Sequence, residues 1–448
     1  MTDDATRRAE AREFARRYGV NLLPGSEDDG WEHTPPVELP DGSRLFLHKD
    51  GEALAAGMQA IREAKTRVLV ETYILANDQT GRAFCKLLVE TAQRGVDVRL
   101  IYDSLGSVFT DRSWMNEVAE AGGQVREFHP IRPWECRRSW RPWHRDHRKL
   151  LVVDDNGEQP IAGVGGLNVG TRYAGPWVTR LARFDPATLW RDAGLGITGP
   201  AVGQFARCFA TTWRYLDPAN ADHVRTTLFA SGLKPVGREK GHRIGRPSRL
   251  GDDDLRPQDD PADVLADGVD LGLLASAPST SSPLRPVLYR LFRDARRSIH
   301  ITMAYFAPDE TMIRLLKEAA GRGVEVRLML PHKSDSKVLV IAARSFYEEL
   351  MDAGVRVYER EGVLLHAKHV VIDGELTVIG STNLDFRSIE TNLESSAVVR
   401  SAALGGQMLD LFAHDVAHSR AIDPDSWRER PYVDRLVQWA VKRARYIL

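Results

Sequence analysis

The stretch His366-Ala367-Lys368-His369-Val370-Val371-Ile372-Asp373, followed by Gly380-Ser381-Thr382-Asn383, is spelled twice in this 448-residue chain. The earlier copy reads His147-Arg148-Lys149-Leu150-Leu151-Val152-Val153-Asp154, with Gly165-Gly166-Leu167-Asn168 downstream. A strand projects residues i and i+2 onto one face, so each copy presents an imidazole beside an ammonium group. Imidazole titrates near neutral pH and serves as nucleophile or general acid, while an ammonium group and an Asn amide hold anionic oxygens. Two such sets, brought together, would surround one phosphodiester. The apolar runs Leu150 to Val153 and Val370 to Ile372 continue each strand into the core. That places Asp154 and Asp373 at the far end, in a supporting role. Two ordinary buried strands would leave the His and Lys groups without a use, against the cost of burying charge.

The duplication extends beyond the motif. A helical pattern from Gly51 to Ala64 leads into a strand Val68 to Ile74, a helix through Phe84, Leu87 and Leu88, and a strand Val96 to Tyr102. The same order returns as strand Ser298 to Tyr305, helix Met312 to Ala320, strand Val324 to Leu330, helix Val338 to Ala353 and strand Val355 to Tyr358. Arg94-Gly95-Val96-Asp97-Val98-Arg99-Leu100 matches Arg322-Gly323-Val324-Glu325-Val326-Arg327-Leu328, and Ala121-Gly122 matches Ala353-Gly354. A repeat this long means a duplicated domain, since solenoid units are far shorter. The fold class is therefore α/β: two pseudo-symmetric halves, each an α/β sandwich with helices on a mixed sheet, and the site between them. The expected divisions are an irregular, Pro/Gly-punctuated lead-in over 1–45, a first half over 46–233, a charged Gly/Pro-rich linker over 234–267, a second half over 268–420, and a helical tail over 421–448.

Lys and Arg total 61 against 62 Asp and Glu, a formal charge of −1, so no global field draws the chain to nucleic acid, and none is expected as a partner. Cys85, Cys136 and Cys208 are scattered without CxxC spacing, which argues against a disulfide framework or a thiolate metal site and suits a reducing compartment. Clustered His144, Asp146 and His147 invite a zinc reading, but Lys149 would share the strand face with the ion and repel it. Gly165-Gly166 lacks the GxGxxG pattern of a dinucleotide site. No stretch reaches the length of a membrane span.

The paired HxKxxxxD motifs, each with its downstream Asn segment, resemble the phospholipase D superfamily. The resemblance implies that one imidazole attacks phosphorus to form a phosphohistidine while the other protonates the leaving alcohol and then deprotonates the acceptor, with no metal or other cofactor. The family order implies His147 as nucleophile and His366 as acid and base, with Lys149, Lys368, Asn168 and Asn383 on the phosphoryl oxygens. It also supplies a carboxylate downstream of each motif to fix the imidazole: Glu394 fits the second copy and Asp192 the first. The first copy departs from the pattern in a longer loop, Asp155 to Pro160, and in Gly166 where the second has Ser381, so that backbone amides would stand in for a hydroxyl.

Several flanking segments resemble the bacterial cardiolipin synthases within that superfamily: Glu71-Thr72-Tyr73-Ile74, Arg145-Asp146-His147-Arg148-Lys149, Gly199-Pro200-Ala201-Val202, Tyr305-Phe306-Ala307-Pro308-Asp309 and Leu365-His366-Ala367-Lys368. That resemblance implies phosphatidyl transfer between phospholipids, by a form without N-terminal membrane helices. Hydrolysis of a phospholipid or nucleic acid by the same core is the alternative. It also implies a cytoplasmic protein in peripheral contact with the inner face of the cell membrane. The Trp- and Arg-rich stretch Arg132 to Trp143 suits a lipid headgroup interface. The segment Val433 to Leu448 carries Val433, Leu436, Val437, Ala440, Ala444 and Ile447 on one face; since most amphipathic helices cover a core, it is expected to pack onto the domain.

Overall fold

The computed structural model describes residues 16–18, 31, 34–131, 143–174, 189–217, 263–266, 268–276 and 282–444. Of the expected linker it describes 263–266; the rest, and the Trp/Arg stretch up to residue 142, lie outside the described residues.

The first half contributes β1 (Val37–Glu38), β2 (Arg44–Lys49), β3 (Arg67–Thr72), β4 (Asp97–Asp103), β5 (Gln124–Phe128), β6 (Lys149–Val153), β7 (Ile161–Gly165), β8 (Trp190–Arg191) and β9 (Ala193–Thr198). The second contributes β10 (Leu271–Ala275), β11 (Ser298–Met303), β12 (Glu325–Pro331), β13 (Arg356–Arg360), β14 (Leu364–Leu365), β15 (Lys368–Ile372), β16 (Leu376–Gly380), β17 (Ser395–Arg400) and β18 (Ser419–Ala421). Two eight-stranded mixed sheets result, ordered β1-β2-β9-β7-β6-β3-β4-β5 and β10-β17-β16-β15-β11-β12-β13-β18. The motif strands β6 and β15 run antiparallel to β3 and β11, pairing Lys149 with Thr72 and Lys368 with Met303.

Among the described residues the helices of two turns or more are α1 (Glu52–Glu63), α2 (Gln79–Gln93), α3 (Ser113–Glu120), α4 (Val202–Tyr215), α5 (Leu284–Asp294), α6 (Glu310–Gly321), α7 (Lys337–Arg344), α8 (Ala402–Ala417) and α9 (Tyr432–Ala444). One core lies between the first sheet and α1 to α3, a second between the second sheet and α5 to α7. A third joins the halves: Leu150, Val164 and Leu195 share it with Val371, Ile379, Ala397 and the helices α4 and α8.

The repeat persists in local chemistry. Asp78 and Asp309 cap α2 and α6 by accepting the N–H groups of Gly81 and Met312. Gly95 and Gly323, both at φ 88°, terminate those helices, and the preceding Arg94 and Arg322 reach back to the last carbonyls of α1 and α5. Asp154 stands at φ 49° after β6 and accepts the N–H groups of Lys65, Thr66 and Arg67. Asp373, at φ 55° after β15, does the same for Arg296, Arg297 and Ser298.

Three sequence expectations are corrected. The irregular lead-in does not extend to residue 45, because Val37 and the alternating Leu45 and Leu47 are buried in strands joined by a tight turn with Gly42 at φ 84°. The single helix expected over 338–353 is two, α7 and Tyr347–Met351, because Ser345 Oγ bonds back to the Ala342 carbonyl and Phe346 turns into the core. The apolar face of α9 does not cover a core. Ion pairs of Arg435 and Lys442, and of Arg430 just before the helix, with Glu348 and Glu349 hold its polar side to the domain and leave Val433, Leu436, Val437 and Trp439 exposed.

Candidate active site

Each motif histidine lies two residues before its strand, at the carboxyl end of the parallel strands of its sheet, where the two halves meet. His147 donates its N–H to Leu393 and His366 to Arg191, while β14 pairs in parallel with β8 across the seam. The chain leading into each histidine is thus hydrogen-bonded to the chain leading into the other half's carboxylate.

This pairing crosses the carboxylates over, a correction to the assignment of each to its own copy. Glu394, downstream of the second motif, accepts from His147 Nδ1 at 3.0 and 3.1 Å. Asp192, downstream of the first, accepts from His366 Nδ1 at 2.7 Å. Each imidazole has Nδ1 engaged and Nε2 left to act. The Gly166/Ser381 difference follows from the same geometry. Ser381 donates its hydroxyl to Glu394, whereas a methyl group at Gly166 would overlap the shorter Asp192, whose Oδ1 instead accepts the Ala193 N–H at 2.8 Å.

Lys149 and Lys368 lie beside their histidines and donate Nζ to the carbonyls of His147 and His366. The oxygens of Asn168 and Asn383 accept the N–H groups of Ile74 and Tyr305, at 3.0 and 3.3 Å, which orients their NH2 groups as donors. All eight candidate residues are buried. Burial lowers Lys149 to about 7 and Lys368 to about 8, and raises Asp192 to about 6. Burial also lowers His147, against the pull of Glu394, while His366 is held well below the usual imidazole value by burial and by Lys368, Lys149 and His147. The motif carboxylates Asp154 and Asp373 are not part of this cluster.

Sequence reasoning missed the aromatic walls. Tyr73 meets the His147 ring edge-on at 4.9 Å, and Trp190 meets His366 at 4.3 Å. Each sits beside a motif already singled out, but they are not repeat-related, so the duplication gave no signal for them. Also missed was Asp335, which accepts the Tyr305 hydroxyl at 2.7 Å and acts on His366 through its charge.

A duplicated α/β sandwich with two carboxylate-held imidazoles across its seam defines an enzyme of the phospholipase D class. Residues 58–175 and 288–416 match the family model described as "Cardiolipin synthase, PLD-like domain", and the chain belongs to that family. It is 30% identical to a cardiolipin synthase of Geobacillus thermodenitrificans over 90% of this chain and 72% of that one. A cardiolipin synthase 2 of Bacillus cereus is 29% identical, over 90% of this chain and 70% of that one. The solved structure of phosphatidylserine synthase from Haemophilus influenzae shares the fold, with TM-score 0.61 and 15% identity, covering 99% of this chain and 100% of that one.

Proposed function

We propose that the protein is a phosphatidyl transferase that makes cardiolipin from phosphatidylglycerol. The observation that carries this reading is the crossed pair of imidazoles, His147 on Glu394 and His366 on Asp192, in a chain similar to cardiolipin synthases over most of its length. His147 Nε2 attacks phosphorus, and His366 Nε2 gives its proton to the departing glycerol oxygen, leaving a phosphohistidine. His366 then takes the proton of a second phosphatidylglycerol hydroxyl, whose oxygen attacks phosphorus and releases His147. Lys149, Lys368, Asn168 and Asn383 hold the non-bridging oxygens. The order of the two histidines is the one that the resemblance implies. Burial, and after it the neighbouring lysine charges, lower both imidazoles in the resting site, and an anionic substrate bound there compensates the lysine charges.

Among the described residues no helix is long and apolar enough to cross a membrane. In this proposal the protein meets its lipid peripherally, at the inner face of the cell membrane. Two exposed apolar surfaces support that contact: Val108 and Phe109, in the loop after β4 that also packs against Tyr73, and the outward face of α9. The buried free thiols of Cys85 and Cys208 suit a reducing compartment.

Purified protein incubated with phosphatidylglycerol vesicles is expected to release cardiolipin and free glycerol together, as mass analysis of the products would show. Excess glycerol should drive the reaction backward, since both sides hold equal numbers of phosphodiesters. Phosphatidic acid as the dominant product would overturn the transferase reading in favour of hydrolysis.

A further inference from the structure

A cavity of about 330 Å³ lies in the first half between α1 and the sheet, with Thr72, Lys149 and Asn168 in its wall on the side of the histidines. Ordinary cores hold few voids larger than a water molecule, whereas ligand pockets fall between about 300 and 1,000 Å³. The space runs under α1 across five adjacent strands, from Val70 on β3 to Phe46 on β2. Four inter-strand steps of about 4.8 Å make the stretch of sheet that walls it roughly 19 Å across, room for an extended fatty-acyl chain to lie along it.

The second half shows what ordinarily fills this space. The equivalent Asp154 and Asp373 caps align the helices, so that Ala53, Ala56, Gly57 and Ala60 stand where α5 carries Leu284, Val287, Leu288 and Leu291. On the sheet, Gly163 pairs with Gly196 in the register where Val378 pairs with Val398. The second half buries all those larger side chains in its core. In the first half neighbours close on two of these positions, since a methyl group at Gly57 would stand 3.0 Å from Leu151 and one at Gly196 2.9 Å from His48, but at Gly163 it would stand 3.8 Å from its nearest neighbour, and there the space stays open. The exchange reverses at the far wall, where Phe46 replaces Gly272. Ala56 is exposed although it lines the cavity, and marks an opening along the flank of α1.

We propose that this cavity is an acyl-chain subsite, taking one fatty-acyl tail of the phospholipid whose phosphoryl group reacts at the seam. The inference rests on the functional reading above. A second feature points to a ligand here: Lys149, 6% exposed, lines the cavity, and its ammonium has the His147 carbonyl as acceptor among the described residues. An anionic head at Lys149 and an apolar tail beneath α1 match one amphiphile.

The test refills the cavity as the second half does, with Gly163→Val and, should that chain not fold, Ala56→Leu. Melting temperature reports folding, titration with the fluorescent fatty acid cis-parinaric acid reports occupancy, and kcat/KM is compared for dioleoyl and dihexanoyl phosphatidylglycerol in mixed micelles. Wild type is expected to bind the probe and to prefer the long-chain lipid. In the folded variant, probe affinity and the long-to-short kcat/KM ratio should each fall at least about tenfold, since several buried methylenes lose their site. An unchanged ratio in a folded variant, or no probe binding by wild type, overturns the subsite. If wild type turns over no phosphatidylglycerol, the functional reading fails, and the probe titration still decides whether the cavity takes a chain.

Discussion

At the scale of single residues, the crossed carboxylates make a directional prediction. Glu394 fixes His147, so Glu394→Gln should slow formation of the phosphohistidine on His147, although Glu394 follows the other motif. Asp192→Asn should instead impair protonation of the leaving group by His366. Losses of about 10²–10⁴ in kcat are expected from each. Rapid-quench trapping checks this: a substrate with a good leaving group should restore adduct formation in Asp192→Asn but not in Glu394→Gln, and the reverse pattern would exchange the histidine roles. The pH profile follows from the same groups. Lys149 and Lys368 are cationic below about 7 and about 8, so their hold on the phosphoryl oxygens weakens as pH rises through those values. The Asp192 carboxylate is present above about 6 and is lost as pH falls. A bell-shaped kcat/KM between these limits is expected, whereas a profile flat through the alkaline limb would mean that the lysine charges do not bind substrate.

At the scale of elements, Asp154 and Asp373 fasten each motif strand to the turn that follows the first helix of its half. Replacing Asp154 by Ala deprives three backbone N–H groups of their acceptor and leaves a methyl-bearing residue at positive φ. A loss of about 2–3 kcal/mol is expected, moderated because water reaches this turn. Denaturant unfolding of Asp154→Ala and Asp154→Asn measures it; equal stability of Asp154→Ala and wild type would show the cap to be dispensable. This role was legible, since an Asp ending an apolar strand run belongs away from the histidines. The hidden β1 and β2 were not, because Pro40-Asp41-Gly42-Ser43 reads equally as irregular chain or as a hairpin turn, and pairing with β9 decides between them.

Across the whole molecule, the seam is stitched by Arg191 of the first half and Asp415 of α8, two hydrogen bonds of 2.9 Å each, with Arg360 adding a third contact to Asp415. Asp415→Ala removes the carboxylate shared by two buried guanidinium groups, leaving Arg191 as carboxylate contact only the longer 3.4 Å one with Asp50, and should cost about 3–5 kcal/mol, visible as a lower denaturation midpoint. An unchanged midpoint would mean that the interface core alone holds the halves. The outer surface makes a separate prediction. Phe109→Asp together with Leu436→Asp should weaken flotation with anionic vesicles severalfold, because Phe109 is 87% and Leu436 53% exposed in the described structure. Retained flotation would remove both surfaces as the site of membrane contact.

The sequence by itself determined the duplication and the α/β class and singled out the eight polar residues that the fold gathers at the seam, because strand periodicity and a charged motif repeated with its flanks leave few alternatives. It showed that two carboxylates follow the two motifs, but not which imidazole each serves. Only the tertiary structure decided that, through backbone hydrogen bonds from His147 to Leu393 and from His366 to Arg191 that exchange partners across the seam. The orientation of α9 and the cavity under α1 were likewise settled in three dimensions. Amphipathic spacing names a face but not what covers it, and a run of Ala and Gly reads as close packing until the opposing strands prove to be Gly as well.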